Sequence, residues 1–382
     1  MNEKNIKNAF AEKYGDDNVS VYTSPGRINL IGEHTDYNGG FVFPGAIDKG
    51  IMAAIKPTGA GKVRAYAIDL NEQAEFGLQE EDIPAQSWAR YIFGICREMI
   101  KRGVKVGGFD TAFAGNVPLG AGMSSSAALE STYAFALNEL FDGKVDKFEL
   151  AKAGQATEHN YCGVKCGIMD QFASIFGKAG NLMRLDCRSL EYQYFPFNPQ
   201  GYRLVLLDTL VKHELASSAY NKRRQSCEAV VAVMQKKHPQ VQFLRDATLE
   251  MLREVKDEVS AEDYNRAEYV IEEIARVLAV CEALEKGDYE TVGQKMYETH
   301  HGMSKLYEVS CEELDFLNDI AKESHVTGSR VMGGGFGGCT INLVKDEYYD
   351  AFIRTAKEKY HTKYGKEPKV YEVVISDGAR RL

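Results

Sequence analysis

Gly333-Gly-Gly-Phe-Gly-Gly338 is the stretch on which the fold turns. It satisfies the G-x-G-x-x-G spacing, but a dinucleotide-binding fold needs a strand before that loop and a helix after it. The next residues are Cys339-Thr-Ile-Asn-Leu-Val344, an apolar, partly β-branched run that reads as a strand. The Rossmann reading therefore fails on its own structural condition. What remains is a tight turn or a loop that lets backbone approach a ligand, and the number of glycines exceeds what a turn needs.

Towards the C-terminus, Val370–Ile375 reads as a second strand; on the N-terminal side, Arg203–Asp208 reads as a buried one. Between Ser217 and Leu317 the pattern is mostly charged amphipathic helix. Tyr192-Gln-Tyr-Phe-Pro-Phe-Asn-Pro-Gln-Gly201 mixes Pro, Gly and aromatics and marks the boundary. Before it, Val19–Ala67 looks like strands broken by a loop, with Val63–Ile68 the last of them and Gly108–Ala114 a further one. Helical periods cover Trp88–Arg102, Ser126–Phe141 and Lys147–Tyr161, and Ile6, Phe10 and Tyr14 outline a short N-terminal helix. Strands and helices in each half predict an α+β protein of two domains, 1–192 and 193–382.

Composition limits the partners. The chain has 382 residues, enough for two cores, with 44% hydrophobic and 26% charged residues and a net charge of −9. That balance argues against nonspecific binding to nucleic acid or to an anionic membrane. No apolar run reaches the length of a membrane span, and no secretory signal follows the first basic residues. The eight scattered cysteines are expected as reduced thiols in a cytoplasmic protein. Cys162 and Cys166 sit four apart, yet no second Cys or His pair supports a metal site there. The sequence leaves the oligomeric state open, a monomer being favoured.

Three further stretches could carry chemistry. In Pro118-Leu-Gly-Ala-Gly-Met-Ser-Ser-Ser-Ala-Ala128, Gly120 and Gly122 precede Ser124, Ser125 and Ser126 at the start of a helix. One Ser suffices for a cap; three after Gly-x-Gly suit phosphate, which a helix N-terminus attracts through free N–H groups and its dipole. It is not a Walker A loop, since no Gly-Lys-[Ser/Thr] closes it. In Ser24-Pro-Gly-Arg-Ile-Asn-Leu-Ile-Gly-Glu-His-Thr-Asp-Tyr37, Arg27, Glu33, His34 and Asp36 crowd one turn. They suit a polyhydroxylated ligand, or form a solvated charged turn. In Cys166-Gly-Ile-Met-Asp-Gln-Phe172, Asp170 is an acid among apolar residues, and either caps a helix or has a chemical task.

In this order the stretches resemble the GHMP kinase superfamily and, within it, the galactokinase family. The resemblance spans almost the whole chain and rests most specifically on Gly26–Tyr37. It implies an N-terminal α+β domain resembling part of a ribosomal protein, a C-terminal α+β domain and an active site between them. It implies transfer of the γ-phosphoryl group of ATP to the C1 hydroxyl of galactose, with Mg²⁺. Asp170 would take the hydroxyl proton and Arg27 would stabilise charge on the transferring group. Glu33, His34, Thr35, Asp36, Gly167 and Tyr220 would contact the sugar. Gly120, Ala121, Gly122, Met123, Ser124, Ser125 and Ser126 would wrap the ATP phosphates, and Ser126 and Glu158 would ligate Mg²⁺. Two positions depart from the family: Met123 stands where Leu is common, and Ala67 where many relatives carry Ser near the nucleotide. Other sugar kinases of the superfamily, or a galactose sensor without turnover, are the alternatives.

Overall fold

Alternation along the first strands decides how helices cover them. Val21, Ala54, Ala112 and Ala114 form one small apolar face, against which Ile6 and Phe10 of the helix Glu3–Tyr14 pack. Tyr22, Ala53, Ile55 and Phe113 point to the other face, under the helices Ser87–Lys101 and Ser125–Leu140. Small side chains thus admit one short helix closely, and larger ones fill the main core. The computed structural model describes residues 2–118, 120–211 and 216–382.

The strands are β1 Ser20–Asn29, β2 Phe41–Val42, β3 Pro44–Pro57, β4 Val63–Ala67, β5 Glu72–Phe76, β6 Phe109–Gly115, β7 Asn181–Asp186, β8 Tyr192–Pro196, β9 Tyr202–Asp208, β10 Gly328–Val331, β11 Cys339–Lys345, β12 Lys369–Glu372 and β13 Arg380–Arg381. They form a six-stranded sheet ordered β13-β1-β3-β6-β4-β5, a four-stranded sheet ordered β10-β11-β9-β12, and a three-stranded sheet ordered β2-β7-β8. Only the β4–β6 pairing is parallel among those described. In the four-stranded sheet Val205 and Leu207 face the helices Glu312–Glu323 and Asp346–Tyr364, while Leu204 and Leu206 join the main core. The run 333–338 joins β10 to β11, which pair antiparallel. The glycine run 333–338 is therefore a hairpin connection, with a strand and not a helix after it.

Three expectations shift in detail. The helix foreseen over Lys147–Tyr161 is α-helical only over Lys147–Thr157; Glu158–Cys162 forms a π-helical turn, a feature common at functional sites. The strand foreseen over Val370–Ile375 ends at Glu372, and Ile375 makes a lone bridge to Ile47. The boundary foreseen between 192 and 193 falls within β8, because Tyr192 already pairs with Leu185. The last residues return to the first sheet, where Arg380 and Arg381 pair with Thr23 and Tyr22. The block Ser217–Leu317 is helical over Ala216–Met234, Leu249–Glu254, Ala261–Glu285, Tyr289–Lys305 and Glu312–Glu323. All eight cysteines are free thiols.

Candidate active site

Arg27 is the residue from which the site can be built. It lies on β1, where its N–H donates to the carbonyl of Met123 at 3.1 Å. Its guanidinium donates to the carbonyl of Gly122. The same guanidinium holds the Asp170 carboxylate with two bonds, Nε to Oδ1 at 2.8 Å and Nη2 to Oδ2 at 3.1 Å. This fork is the geometry that a guanidinium offers and an ammonium does not. Asp170 stands in the first turn of the helix Met169–Phe176, where the dipole favours an acid. Ser124 donates its hydroxyl to Asp170 Oδ2 as well. The acid foreseen as isolated is thus held by one residue from each of the two N-terminal motifs.

A cavity of about 300 Å³ opens beside this group. Arg27, Glu33, His34, Asp36, Gly122, Ser124, Ser126, Glu158, Gly167, Asp170 and Tyr220 all line it. Gly167 is required by contact: an added Cβ would fall 2.0 Å from Asp36 Oδ2. Burial, reinforced by the nearby Asp170 charge, pushes the Asp36 carboxyl up to about 7. His34 is buried, and desolvation pushes its imidazole down to about 3. Its Nε2 faces the carbonyl of Gly334 at 3.1 Å and so carries the proton; Nδ1 accepts from the Tyr37 hydroxyl at 2.7 Å, which meets Tyr307 at 2.8 Å. His34 therefore borders the cavity with both nitrogens already engaged by protein.

Thr35 is a correction. It is wholly buried and lies off the cavity, and its hydroxyl bonds to the carbonyls of Gly32 and Phe41 at 2.9 and 2.6 Å. It closes the loop rather than reaching a ligand. Met123 and Ala121 bury their side chains in the main core, so that only their backbone belongs to the loop surface. Gly120 is exposed, and Ser125 and Ser126 line a second cavity of about 370 Å³ with Ala67, Leu70, Trp88, Phe113, Val117 and Leu129. The two cavities share Tyr91 and Ser126. Leu119, inside the same loop, lies outside the described residues. The helix foreseen from Ser126 starts at Ser125, with Ser124 as its N-cap in the left-handed region at φ 58°. Gly338 packs on this loop so closely that a Cβ there would sit 3.3 Å from the carbonyl oxygen of Gly120.

Glu158 is buried at the start of the π-helical turn and pushed up to about 7, mainly by desolvation, which the nearby Ser126 hydroxyl opposes and the Asp170 charge reinforces. Behind it lies Glu130, wholly buried, with its carboxyl pushed far up by burial and by Glu158. Gln171 donates to Glu130 Oε2 at 3.0 Å, and Glu130 Oε1 has no hydrogen-bond partner among the described residues. Sequence reasoning passed over Glu130, although a lone acid in Ala127-Ala-Leu-Glu130 on a core-facing helix was a signal. It also passed over Arg330 and Glu273. Arg330 binds Glu33 at 3.0 Å, and Glu273 accepts from the Gly32 N–H at 2.8 Å.

Residues 8–57 match the galactokinase galactose-binding signature, residues 90–178 the GHMP kinase N-terminal domain and residues 280–362 the GHMP kinase C-terminal domain. A galactokinase of Thermotoga neapolitana is 41% identical over 94% of this chain and 99% of its own length. One of Clostridium acetobutylicum is 40% identical over 100% and 98%. The structure of Lactococcus lactis galactokinase complexed with galactose superposes with a TM-score of 0.94 at 33% identity, covering 98% of both chains. A Methanococcus jannaschii mevalonate kinase shares the fold, with a TM-score of 0.66 at 18% identity over 94% of this chain and 98% of its own. The motif order, the α+β architecture and these full-length likenesses together establish that the chain belongs to the galactokinase family of the GHMP kinases.

Proposed function

We propose that this chain transfers the γ-phosphoryl group of ATP to the C1 hydroxyl of galactose, giving galactose 1-phosphate and ADP, as in the Leloir pathway. The observation that carries this reading is the group Arg27–Asp170–Ser124, which joins the sugar signature, the glycine-serine loop and an acid at one cavity. Phosphoryl transfer asks mainly for positioning and charge neutralisation. Asp170 accepts the proton of the sugar hydroxyl, and its two donors hold its oxygens in place for that. Arg27 supplies positive charge beside the transferring group. The N-terminus of Ser125–Leu140 and the backbone of Gly120–Ser126 bind phosphate, and the adjoining apolar cavity takes the base.

Ser126 and Glu158 would hold Mg²⁺. The fit is that of a cation which keeps water and shares phosphate oxygens: one hydroxyl and one carboxylate border the same cavity, and that carboxylate is buried without a cationic partner among the described residues. No group of three or more His, Cys, Asp or Glu among the described residues could cage a metal alone. When bound, the cation neutralises charge on the phosphates. Glu33, Asp36, Gly167 and Tyr220 border the sugar, with His34 as a fixed wall. Residues of both halves of the chain flank this site, and the C-terminal half lends the first sheet its last strand. No helix of the described residues is long and apolar enough to cross a membrane; we place the enzyme in the cytoplasm as a monomer.

A coupled kinase assay across galactose, glucose, N-acetylgalactosamine, galactosamine and arabinose tests the assignment. Turnover is expected to be far higher with galactose than with glucose. Preference for another sugar would move the chain to a neighbouring specificity, and binding without any phosphorylated product would make it a sensor.

A further inference from the structure

Arg330 lies in β10 with its side chain wholly buried. A guanidinium out of water must have its N–H groups satisfied. Its Nε donates to the carbonyl of Leu30 at 2.8 Å, and Nη1 donates to the carbonyl of Val331. Nη2 donates to the carbonyl of Asn29 and, at 3.0 Å, to Glu33 Oε1. The N–H of Gly333 donates to that same Oε1 at 2.8 Å. One oxygen of Glu33 is thus saturated by two donors that come from about 300 residues further along the chain. Oε2 has no hydrogen-bond partner among the described residues, and Glu33 borders the 300 Å³ cavity. The loop is gripped from the other polarity too, since Glu273 takes the N–H of Gly32 and Tyr269 donates to the carbonyl of Glu33 at 3.1 Å.

We propose that Arg330 is a positioning residue for sugar recognition: by fixing one oxygen of Glu33 and the carbonyls of Asn29 and Leu30, it presents the other oxygen of Glu33 to a single sugar hydroxyl. The inference rests on the galactokinase reading. A carboxylate tied through one oxygen cannot rotate to follow a displaced hydroxyl, so it discriminates by position. Lysine cannot replace the fork, because one ammonium does not span three acceptors.

The test is Arg330→Lys, assayed for kcat and for KM of galactose and of MgATP, on galactose and on the monodeoxygalactoses that keep the anomeric hydroxyl. The variant is expected to raise KM for galactose roughly ten- to hundredfold, the loss of one well-placed hydrogen bond to a charged group. KM for MgATP should stay within about twofold. The penalty that the wild type imposes on one deoxy sugar should vanish in the variant, while the other penalties remain. If all deoxy penalties persist, or if both KM values move together with a fall in Tm, Arg330 only supports the fold and the inference is wrong. Should Arg330→Lys not fold, Glu33→Gln, which keeps the side-chain volume, must show the same loss of one deoxy penalty. Absence of galactose phosphorylation by the wild type would appear before any variant is made, and would sink the galactokinase reading itself.

Discussion

The loop 29–38 and the loop 120–126 border the same cavity and are built in opposite ways. In the first, Glu33, His34, Thr35 and Asn38 are buried, and nearly every polar group is spoken for: Asn38 donates to the carbonyl of His34, Thr35 to two carbonyls, and Arg330, Glu273 and Tyr269 reach in from the C-terminal half. In the second, Gly120 is exposed, Gly122 and Ser124–Ser126 are half-buried, and the tethers from the rest of the site are few: Ser124 to Asp170, and Arg27 to the carbonyls of Gly122 and Met123. The difference follows from the proposed ligands. A neutral polyol differs from its epimers only in where its hydroxyls point, so its partners must be held still before it arrives. A polyphosphate brings its own charge and is gripped by backbone N–H groups and a cation, which tolerate a looser frame.

Asp170 touches both loops, so breaking it should have the largest effect. Asp170→Asn is expected to lower kcat by about 10²–10⁴, the usual contribution of a positioned base, with the fold retained. Asp170→Ala should add a stability loss of about 1–3 kcal/mol in thermal unfolding, because the buried Arg27 guanidinium loses its bidentate partner; the carboxylate is itself 31% exposed, which keeps the figure below that of a sealed ion pair. A near wild-type kcat in the Asn variant would remove Asp170 from the chemistry.

Asp36 tests the rigid loop. Asp36→Ala should lower kcat/KM for galactose more than for glucose, narrowing their ratio by about tenfold or more, since a fixed acceptor is lost to the axial hydroxyl. A constant ratio would assign C4 recognition elsewhere, with Tyr220 next. The group also sets a pH dependence. Its folded pKa of about 7 lies above the ordinary carboxyl value, so the stability it contributes is full in acid and lost as pH rises through about 7. The ligand-free protein should lose Tm from this source between about pH 4 and 7 and level off above that, while galactose, bound by the ionised acceptor, should bind more tightly as pH rises through about 7. Asp36→Asn should flatten both curves.

The looser loop is probed by Glu158→Gln and Ser126→Ala. Both should raise the Mg²⁺ concentration for half-maximal activity, Glu158→Gln by about tenfold or more and Ser126→Ala by less, since a carboxylate is the stronger ligand. Without metal at about pH 8, Glu158→Gln should raise Tm, because it removes a buried acid whose pKa burial has pushed up to about 7. Ser126→Ala should leave Tm unchanged, as Ser124 and not Ser126 occupies the cap. An unmoved Mg²⁺ midpoint in both variants would take the pair off the ligand set.

Thr35→Val should have the smallest kinetic effect. It leaves the carbonyls of Gly32 and Phe41 without their donor and should cost about 1–2 kcal/mol in denaturant unfolding, with both KM values unchanged within about twofold. A selective rise in KM for galactose would return Thr35 to the sugar contacts.

Much of this was legible in the chain. The run Cys339–Val344 after the glycines excluded a Rossmann unit. The order of the Gly26–Tyr37, Pro118–Ala128, Cys166–Phe172 and Gly333–Gly338 stretches located most of the residues that border the 300 Å³ cavity, and the family resemblance supplied Glu158 and Tyr220. Local pattern misled where it continued past a change of geometry. The helical period ran on from Thr157 through Glu158, so the π-helical turn was invisible. The Pro and aromatic residues of Tyr192–Pro196 read as a linker although they form an edge strand.

Where buried charge finds its partner was settled only in the folded chain. Arg330, Glu273 and Glu130 are ionisable residues buried in a strand or helix; Arg276, one turn along, pairs with Glu273, but nothing adjacent in sequence identifies the distant groups that they hold. Arg330 meets Glu33 across 297 positions and Glu273 meets Gly32 across 241. A charge taken out of water must be compensated, but its compensation obeys distance in space and not along the chain. Motifs that act through their own backbone and neighbouring side chains could therefore be read from sequence, whereas the groups that hold them in register could be identified only once the chain had folded back on itself.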